Sequence, residues 1–434
     1  MNIKLSVNKI NSPSGVRGLI ITGSKSETNR LLLLQALYPN ISLENISNSD
    51  DSRILQKALQ KQTTYNRQSA SDNQKPTTIN IHHAGTAMRF LTAFFCIQEN
   101  SEVILTGSPR MKERPIKILV DALNQLGAEI SYEENEGFPP IHIKGKKLSQ
   151  SKISLPANVS SQYISALLLI APKLKNGLEL TLEGEITSIP YIKMTLALLN
   201  NIGVKTYFID NIIKVNPLQT PNTKHQTIES DWSSASYWYS IVAQSEIGTK
   251  ITLSSYKKNS LQGDSILTEI YKNFGVNTVF NDDNSITLHK IENLKPDPND
   301  CELAKQTLDF KLNNCPDIAQ TIAVTCFGLG IGCYLNGLHT LKIKETDRLE
   351  ALKNELTKLG ANISVTNDRL ALKPSGKINE NISIKTYQDH RMAMAFAPLA
   401  LKVPIIIEDV EVVSKSYPGF WDDLKSVGFC ITNL

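Results

Sequence analysis

Leu126-Gly127-Ala128-Glu129-Ile130 closes an apolar run with helical spacing and opens an alternating run with strand spacing. The chain does the same at Ile202-Gly203-Val204-Lys205-Thr206, Phe274-Gly275-Val276-Asn277-Thr278, Leu359-Gly360-Ala361-Asn362-Ile363 and Val427-Gly428-Phe429-Cys430-Ile431. Successive glycines stand 76, 72, 85 and 68 residues apart. A glycine just past a helix adopts the left-handed conformation at little steric cost, so each copy predicts a helix C-cap feeding a strand. Recurrence at such a period marks a repeat architecture.

A second element recurs between the glycines. Polar loops of small residues open Ala- or Leu-rich helices near Ser26, Thr86, Ser160, Ser233, Asp317 and Asp389. Six such starts predict six copies of one αβ module. The first copy lacks the Gly-capped second helix, and its polar stretch from Gln60 to Asn80 reads as a surface loop. The segment Asn216 to Glu229, with Pro217 and Pro221, divides the copies three and three. It reads as a hinge, with a long hairpin loop as the alternative. A hinge there would aim six helix N-termini, which attract anions, toward the space between two domains.

The 434 residues are too many for one ordinary core and suit two or three domains. The balance of 46 basic against 42 acidic residues, net +4, argues against a general binder of nucleic acid or membranes. Any preference for a charged ligand must come from local clusters. None of the six cysteines (Cys96, Cys301, Cys315, Cys326, Cys333, Cys430) forms a C-x-x-C pair, and several lie in apolar runs. They read as buried, reduced thiols of a cytoplasmic protein. Met1 to Val7 alternates like a strand and lacks a signal core. The longest apolar stretch, Met392 to Ile407, is broken by Pro398, Lys402 and Pro404, short of the ~20 residues a membrane span needs.

The loops carry the chemistry. Gly23-Ser24-Lys25-Ser26-Glu27-Thr28-Asn29-Arg30 follows a strand and opens a helix. Ser24 intervenes where a nucleotide P-loop needs lysine directly after glycine, so it reads as an anion site with Lys25 and Arg30 as charges. In His83-Ala84-Gly85-Thr86-Ala87-Met88-Arg89, Gly85 lets backbone N–H groups come close to a ligand. Pro109 to Ile116 places three cations in five residues, either a solvated face or an ordered anion loop. Ser160-Ser161-Gln162 and Ser188-Ile189-Pro190-Tyr191 offer hydroxyls that serve as N-caps or hold a phosphate. Lys25, Arg30, Arg110, Lys344, Arg348, Arg391 and Lys415 stand at equivalent ends of the modules, which predicts a cleft for multiply charged anions. Asp317 and Glu345 are the carboxylates among them, suited to proton transfer.

These strings resemble the 5-enolpyruvylshikimate-3-phosphate (EPSP) synthase family of enolpyruvyl transferases. The matches are G-S-K-S-x-x-N-R, A-G-T-A-M-R, P-R-M-K-E-R-P-I, S-S-Q-Y, P-D-I-A, K-E-T-D-R-L and D-H-R-M-A-M, in family order from Gly23 past Arg391. The resemblance implies an α/β fold of two similar domains, each of three αβ units in an inside-out barrel arrangement, with the active site in the cleft between them. The domains would be residues 22–229, and 1–21 with 230–434.

The resemblance implies transfer of the enolpyruvyl group of phosphoenolpyruvate to the 5-hydroxyl of 3-phosphoshikimate, by addition, a tetrahedral intermediate and loss of phosphate. Ser26 and Arg30 would hold the shikimate carboxylate, and Ser160, Ser161 and Ser188 its phosphate. Gln162 and Tyr191 would line that pocket, with Thr340 where some members place an Asn against the phosphate. Lys25, Arg110, Lys415 and the Gly85 backbone would hold the phosphate of phosphoenolpyruvate, Arg348 and Arg391 its carboxylate. Asp317 would be the base, with Lys344 nearby, and Lys25 or Glu345 the acid. The resemblance further implies no metal or organic cofactor, a monomer, and inhibition by glyphosate. The sister transferase acting on UDP-N-acetylglucosamine carries a loop cysteine as acid, and no cysteine lies between Cys96 and Cys301. An RNA binder on a related repeat would need aromatics interleaved with its basic loops, and they are lacking.

Overall fold

The computed structural model describes residues 1–7, 18–68, 76–157, 159–184, 186, 189–223, 225–292 and 307–434, without the side chains of 61–68. Chain contacts divide it into two units. Unit 1 is Met1–Thr22 with Glu229–Leu434, and unit 2 is Gly23–Ile228.

Unit 1 begins with strand β1 (Ile3–Val7). Unit 2 then runs α1 (Lys25–Leu37), β2 (Ser42–Glu44), α2 (Asp50–Gln68), β3 (Thr77–Asn80), α3 (Gly85–Cys96), β4 (Glu102–Thr106), α4 (Pro109–Lys112), α5 (Lys117–Gln125), β5 (Glu129–Tyr132) and β6 (Ile141–Lys144). It continues through β7 (Lys152–Pro156), α6 (Ser161–Ile170), β8 (Leu178–Glu183), α7 (Ile189–Asn201), β9 (Thr206–Ile209), β10 (Ile212–Val215) and β11 (His225–Thr227). Unit 1 resumes with α8 (Trp232–Gln244), β12 (Lys250–Leu253), α9 (Leu267–Ile270), β13 (Val276–Phe280), β14 (Ile286–Lys290), β15 (Thr307–Lys311), α10 (Ala319–Gly328) and β16 (Gly332–Asn336). It closes with α11 (Arg348–Lys358), β17 (Ile363–Val365), β18 (Arg369–Leu372), β19 (Ile382–Ile384), α12 (His390–Phe396), β20 (Ile405–Ile407), α13 (Phe420–Ser426) and β21 (Phe429–Asn433).

The repeat is visible in the sheets. β3-β4-β6-β5, β7-β8-β10-β9 and β15-β16-β18-β17 share one order: the first pair is parallel and the other two are antiparallel. In β19-β20-β1-β21 the N-terminal strand takes the position that the last strand of each other module fills, so the two chain ends are joined in one sheet. The five repeated glycines, 127, 203, 275, 360 and 428, have φ of 100°, 101°, 71°, 100° and 107°, and each leads into a strand. That is the left-handed cap the sequence predicted.

The two stretches of chain at the unit boundaries pair away from the helices they precede, one by a single bridge and one as a strand. Leu19, just ahead of α1 of unit 2, bridges Leu253 of β12 in unit 1. β11, just ahead of α8 of unit 1, pairs in parallel with β2 of unit 2.

Helices α8, α10 and α12 are buried along their lengths, apart from Ser233. They form the middle of the unit 1 core, while the strands alternate buried and open positions outside them. In unit 2, α3 and α6 are buried in the same way and pack on each other.

Two expectations are corrected. Gln60 to Asn80 is not a surface loop through its described residues: 60–68 extend α2, and 77–80 form β3. Lys, Gln and Arg prolong a helix already nucleated at little cost, and Thr77, Thr78 and Ile79 favour a strand. Cys430 is exposed on β21, whereas Cys96, Cys315, Cys326 and Cys333 are buried free thiols, and Cys301 lies outside the described residues. Among the described residues, no helix is long and apolar enough to cross a membrane and no metal-ligand cluster occurs.

Candidate active site

The candidate residues of unit 1 gather where α10, α11 and α12 begin. Pro316 starts a short 3-10 turn, Pro316–Ile318, that leads into α10 and places Asp317 just before it. Asp347 caps α11 by accepting from the N–H groups of Leu349 and Glu350. Asp389 caps α12 by accepting from the Arg391 N–H. Caps of this kind satisfy helix-start N–H groups that have no partner inside the helix.

Arg348, 2% exposed, lies at the centre. Its Nε donates to Asp389 Oδ2 at 2.6 Å, Nη1 to Asp317 Oδ1 at 2.8 Å and Nη2 to Glu345 Oε2 at 2.7 Å. Burial alone would lower the pKa of this guanidinium, but Asp389, Glu345 and Asp317 outweigh it and the net shift is upward. Asp317 is shared further. Lys344 Nζ is 3.4 Å from Oδ1, Arg391 Nη2 is 3.3 Å from Oδ2, and Arg391 Nη1 donates to the Asp317 carbonyl at 3.1 Å. Arg391 also donates to Ser233 Oγ at 3.3 Å, and Ser233 donates to Asp264. Burial, then the nearby Asp317 charge, pushes the Asp264 carboxyl up to about 6. Lys415 Nζ donates to the Gln388 carbonyl at 2.6 Å, one residue before Asp389. Thr340 lies on the 3-10 turn His339–Ile343 that precedes Lys344, with its hydroxyl buried.

In unit 2, Ser24 caps α1 and so places Lys25 and Ser26 in the first turn. Lys25 Nζ lies 3.6 Å from Asp51 Oδ2, and His83 Nε2 lies 3.8 Å from Asp51 Oδ1. Arg30 is buried and donates from Nε to Thr195, from Nη1 to the Ser26 carbonyl and from Nη2 to Ser165, at 2.8–2.9 Å. Its guanidinium stands 5.8 Å from the Tyr191 ring centre, and burial brings its pKa down to about 10.

Ser160 caps α6 by accepting from the Gln162 N–H, and Gln162 donates to Thr86 Oγ1 at 3.1 Å, joining the starts of α6 and α3. Ser161 is the first residue of α6. Ser188 lies outside the described residues.

The stretch Pro109 to Ile116, opened by α4, combines a solvated cationic face with two anchoring apolar residues. Met111 and Ile116 are buried, and the Pro115 carbonyl accepts from both Arg89 and Tyr163. Of its cations, Arg110 is more than half exposed and pairs with Glu113, and Lys112 pairs with Glu134. Arg114 turns inward: a Cβ built on Gly85 would stand 2.5 Å from its Nη1. Sequence reading placed Ser233 at a helix start but passed over Arg114, Asp51 and Asp264 as site residues. The signal for Arg114 was present in the same cationic run as Arg110. Nothing local marked Asp51 or Asp264, because their partners come from distant parts of the chain.

The fold is that of solved enolpyruvyl transferases. An EPSP synthase structure from Acinetobacter baumannii matches with a TM-score of 0.75 at 18% identity, covering 100% of both chains. The enolpyruvyl transferase NikO from Streptomyces tendae matches with a TM-score of 0.66 at 13% identity, over 99% of this chain and 98% of that one. At such identities the likeness speaks for the fold alone. The sequence goes further. Residues 10–424 match the family described as EPSP synthase (3-phosphoshikimate 1-carboxyvinyltransferase). A relative of that name from Bacteroides fragilis is 44% identical over 428 residues, 97% of this chain and 98% of its own length. Another from Haemophilus influenzae is 35% identical over 444 aligned residues, with the same coverage. The chain belongs to the EPSP synthase family of enzymes.

Proposed function

We propose that the chain transfers the enolpyruvyl group of phosphoenolpyruvate to the 5-hydroxyl of 3-phosphoshikimate and releases phosphate. The observation that carries this reading is Asp317 held by Lys344, Arg348 and Arg391 at the starts of three helices. A carboxylate fixed in that way is already oriented as a general base. When the phosphoenolpyruvate carboxylate takes over donors of Arg348 and Arg391, Asp317 is released to accept the hydroxyl proton. The planar guanidinium forks suit a carboxylate, since both can pair with two oxygens at once.

The base removes the proton of the 5-hydroxyl as its oxygen bonds to C2 of phosphoenolpyruvate, and an acid protonates C3. Loss of phosphate from the tetrahedral adduct, with removal of a C3 proton, regenerates the double bond. Glu345 or Lys25 supplies the acid. Lys25, Arg110, Lys415 and the N–H groups at Gly85 stabilise the phosphate, with Arg114 beside Gly85 as a further cation. For the acceptor, Ser26 and Arg30 take the carboxylate, and Ser160, Ser161 and Ser188 the phosphate. Gln162, Tyr191, Thr340 and Lys344 complete that contact set. Among the described residues Arg30 has given three of its five N–H donors to the protein, which leaves two for a ligand. We further propose that the enzyme acts as a monomer and is inhibited by glyphosate.

The test is phosphate release from phosphoenolpyruvate with two acceptors in parallel. Release with 3-phosphoshikimate and none with UDP-N-acetylglucosamine is expected. The reverse pattern, or release with neither, overturns the proposal.

A further inference from the structure

Two buried residues of α11 hold one segment of chain. Arg348 and Glu355 are seven residues apart, two turns, and so share a helix face. Arg348 binds Asp389. Glu355, with no solvent exposure, accepts from the Lys385 N–H at 3.1 Å and from the Tyr387 hydroxyl at 2.7 Å. Lys358 Nζ, 2.6 Å from Glu355 Oε2, supplies the counter-charge from the open side. A buried carboxylate needs such partners.

Between the two grips lie Tyr387 and Gln388, with φ of 53° and 55°. They are the only consecutive non-glycine residues at positive φ among those described. A side chain in that region is strained, and the conformation persists only where its surroundings enforce it. What the strain secures is chemical. The Gln388 carbonyl meets Lys415, and the next residue, Asp389, meets both Arg348 and the Arg391 N–H.

We propose that Glu355 is a positioning residue of the active site, acting through Tyr387 and the Lys385 amide to hold the turn that places Asp389, Arg391 and Lys415. The proposal rests on the function proposed above insofar as those cations serve phosphoenolpyruvate. Glu355 touches no reacting atom. Its role is to keep one rigid helix attached to both ends of a strained loop.

The test uses the full chain carrying Glu355→Gln, Tyr387→Phe or, as a control, Lys353→Met, which removes a surface pair of α11 and leaves every partner of Glu355 in place. Hydrogen exchange of amides 385–391 is expected to speed up about tenfold or more in the first two variants, and to stay unchanged in the control. The KM for phosphoenolpyruvate should rise about tenfold while that for 3-phosphoshikimate stays within about twofold, with the melting temperature held within about 4 °C. Unchanged exchange in both variants overturns the proposal, and so do KM values that rise in parallel for the two substrates. If the parent enzyme shows no transfer with these substrates, the functional reading fails, and the exchange measurement alone still decides the role of Glu355.

Discussion

Replacing Arg348 by Met tests whether the unit 1 cluster is held by one guanidinium. The side chain is almost wholly enclosed and spends its donors on three carboxylates. They do not suffer equally when it leaves. Glu345, 28% exposed, turns to water and contributes less than about 1 kcal/mol. Asp317 keeps Lys344 and Arg391. Asp389 has no solvent exposure and is left as a buried charge, a loss of about 3–5 kcal/mol. Unfolding by urea, followed through tryptophan fluorescence, reads this cost where it arises, because Trp232, Trp238 and Trp421 all belong to unit 1. With a slope of roughly 2–3 kcal/mol per molar, the midpoint should fall by about 1–2 M. Adding Asp389→Asn removes the stranded charge, so the double variant should recover stability, with a coupling of about 1.5 kcal/mol or more. A single-variant loss under about 1 kcal/mol, or a coupling near zero, would refute the reasoning.

Asp317→Ala should retain phosphoenolpyruvate binding, since it releases Arg391 and Lys344, while kcat falls about 10²- to 10⁴-fold; an unchanged kcat removes Asp317 from the chemistry. Asp264 has a carboxyl raised to about 6 in the folded state, above its unfolded value, so it penalises folding fully above pH 6 and less as pH falls toward 4. Asp264→Asn should therefore stabilise unit 1 by about 2–3 kcal/mol at pH 7 and hardly at all at pH 4; a difference that does not change with pH contradicts this. Gly85→Ala meets the Arg114 guanidinium at 2.5 Å, a flexible group that can swing aside, and Gly85 has no positive φ. Stability should change by under about 1 kcal/mol while the inhibition constant of glyphosate rises about tenfold; unaltered inhibition argues against a ligand at that helix start.

Much of the fold was legible because its signals are local. A glycine after each second helix records a left-handed cap, and that requirement is written in five places. The pairing of the chain at the unit boundaries was not legible. Leu19 read as part of a strand ahead of a helix and His225 to Thr227 as part of a hinge, and nothing in either stretch says which sheet will receive it. The helical run from Gln60 to Gln68 was missed for the opposite reason: its polarity spoke for a loop, and its extension from a nucleated helix spoke more strongly. In the site, cations at loop–helix junctions were readable from charge and position. Their counter-ions were less so. Asp389 was seen as part of a string and Asp264 not at all, since a buried partner is chosen by packing rather than by spacing.

That asymmetry bears on how a ligand binds. Sequence reading treats Arg348 and Arg391 as donors awaiting an anion, but a buried guanidinium without a counter-ion is too costly to persist. The protein supplies Asp317, Glu345 and Asp389 in the ligand's place. Binding a substrate carboxylate is then an exchange in which one protein carboxylate gives up its cation. Asp389, sealed and capping α12, is poorly placed to leave, whereas Asp317 and Glu345 are partly open. A carboxylate that loses its cation beside a newly arrived anion holds a proton more readily. Phosphoenolpyruvate binding should therefore take up protons, seen as a binding enthalpy that depends on the ionisation enthalpy of the buffer. Glu345, the candidate acid, is the group expected to take up the proton, because Asp317 keeps Lys344 and must stay ionised to act as the base; Glu345→Gln should abolish the dependence and Asp317→Asn should leave it. Identical enthalpies across buffers in the parent protein would mean that the ligand finds its donors without displacing either carboxylate, and the exchange picture would be wrong.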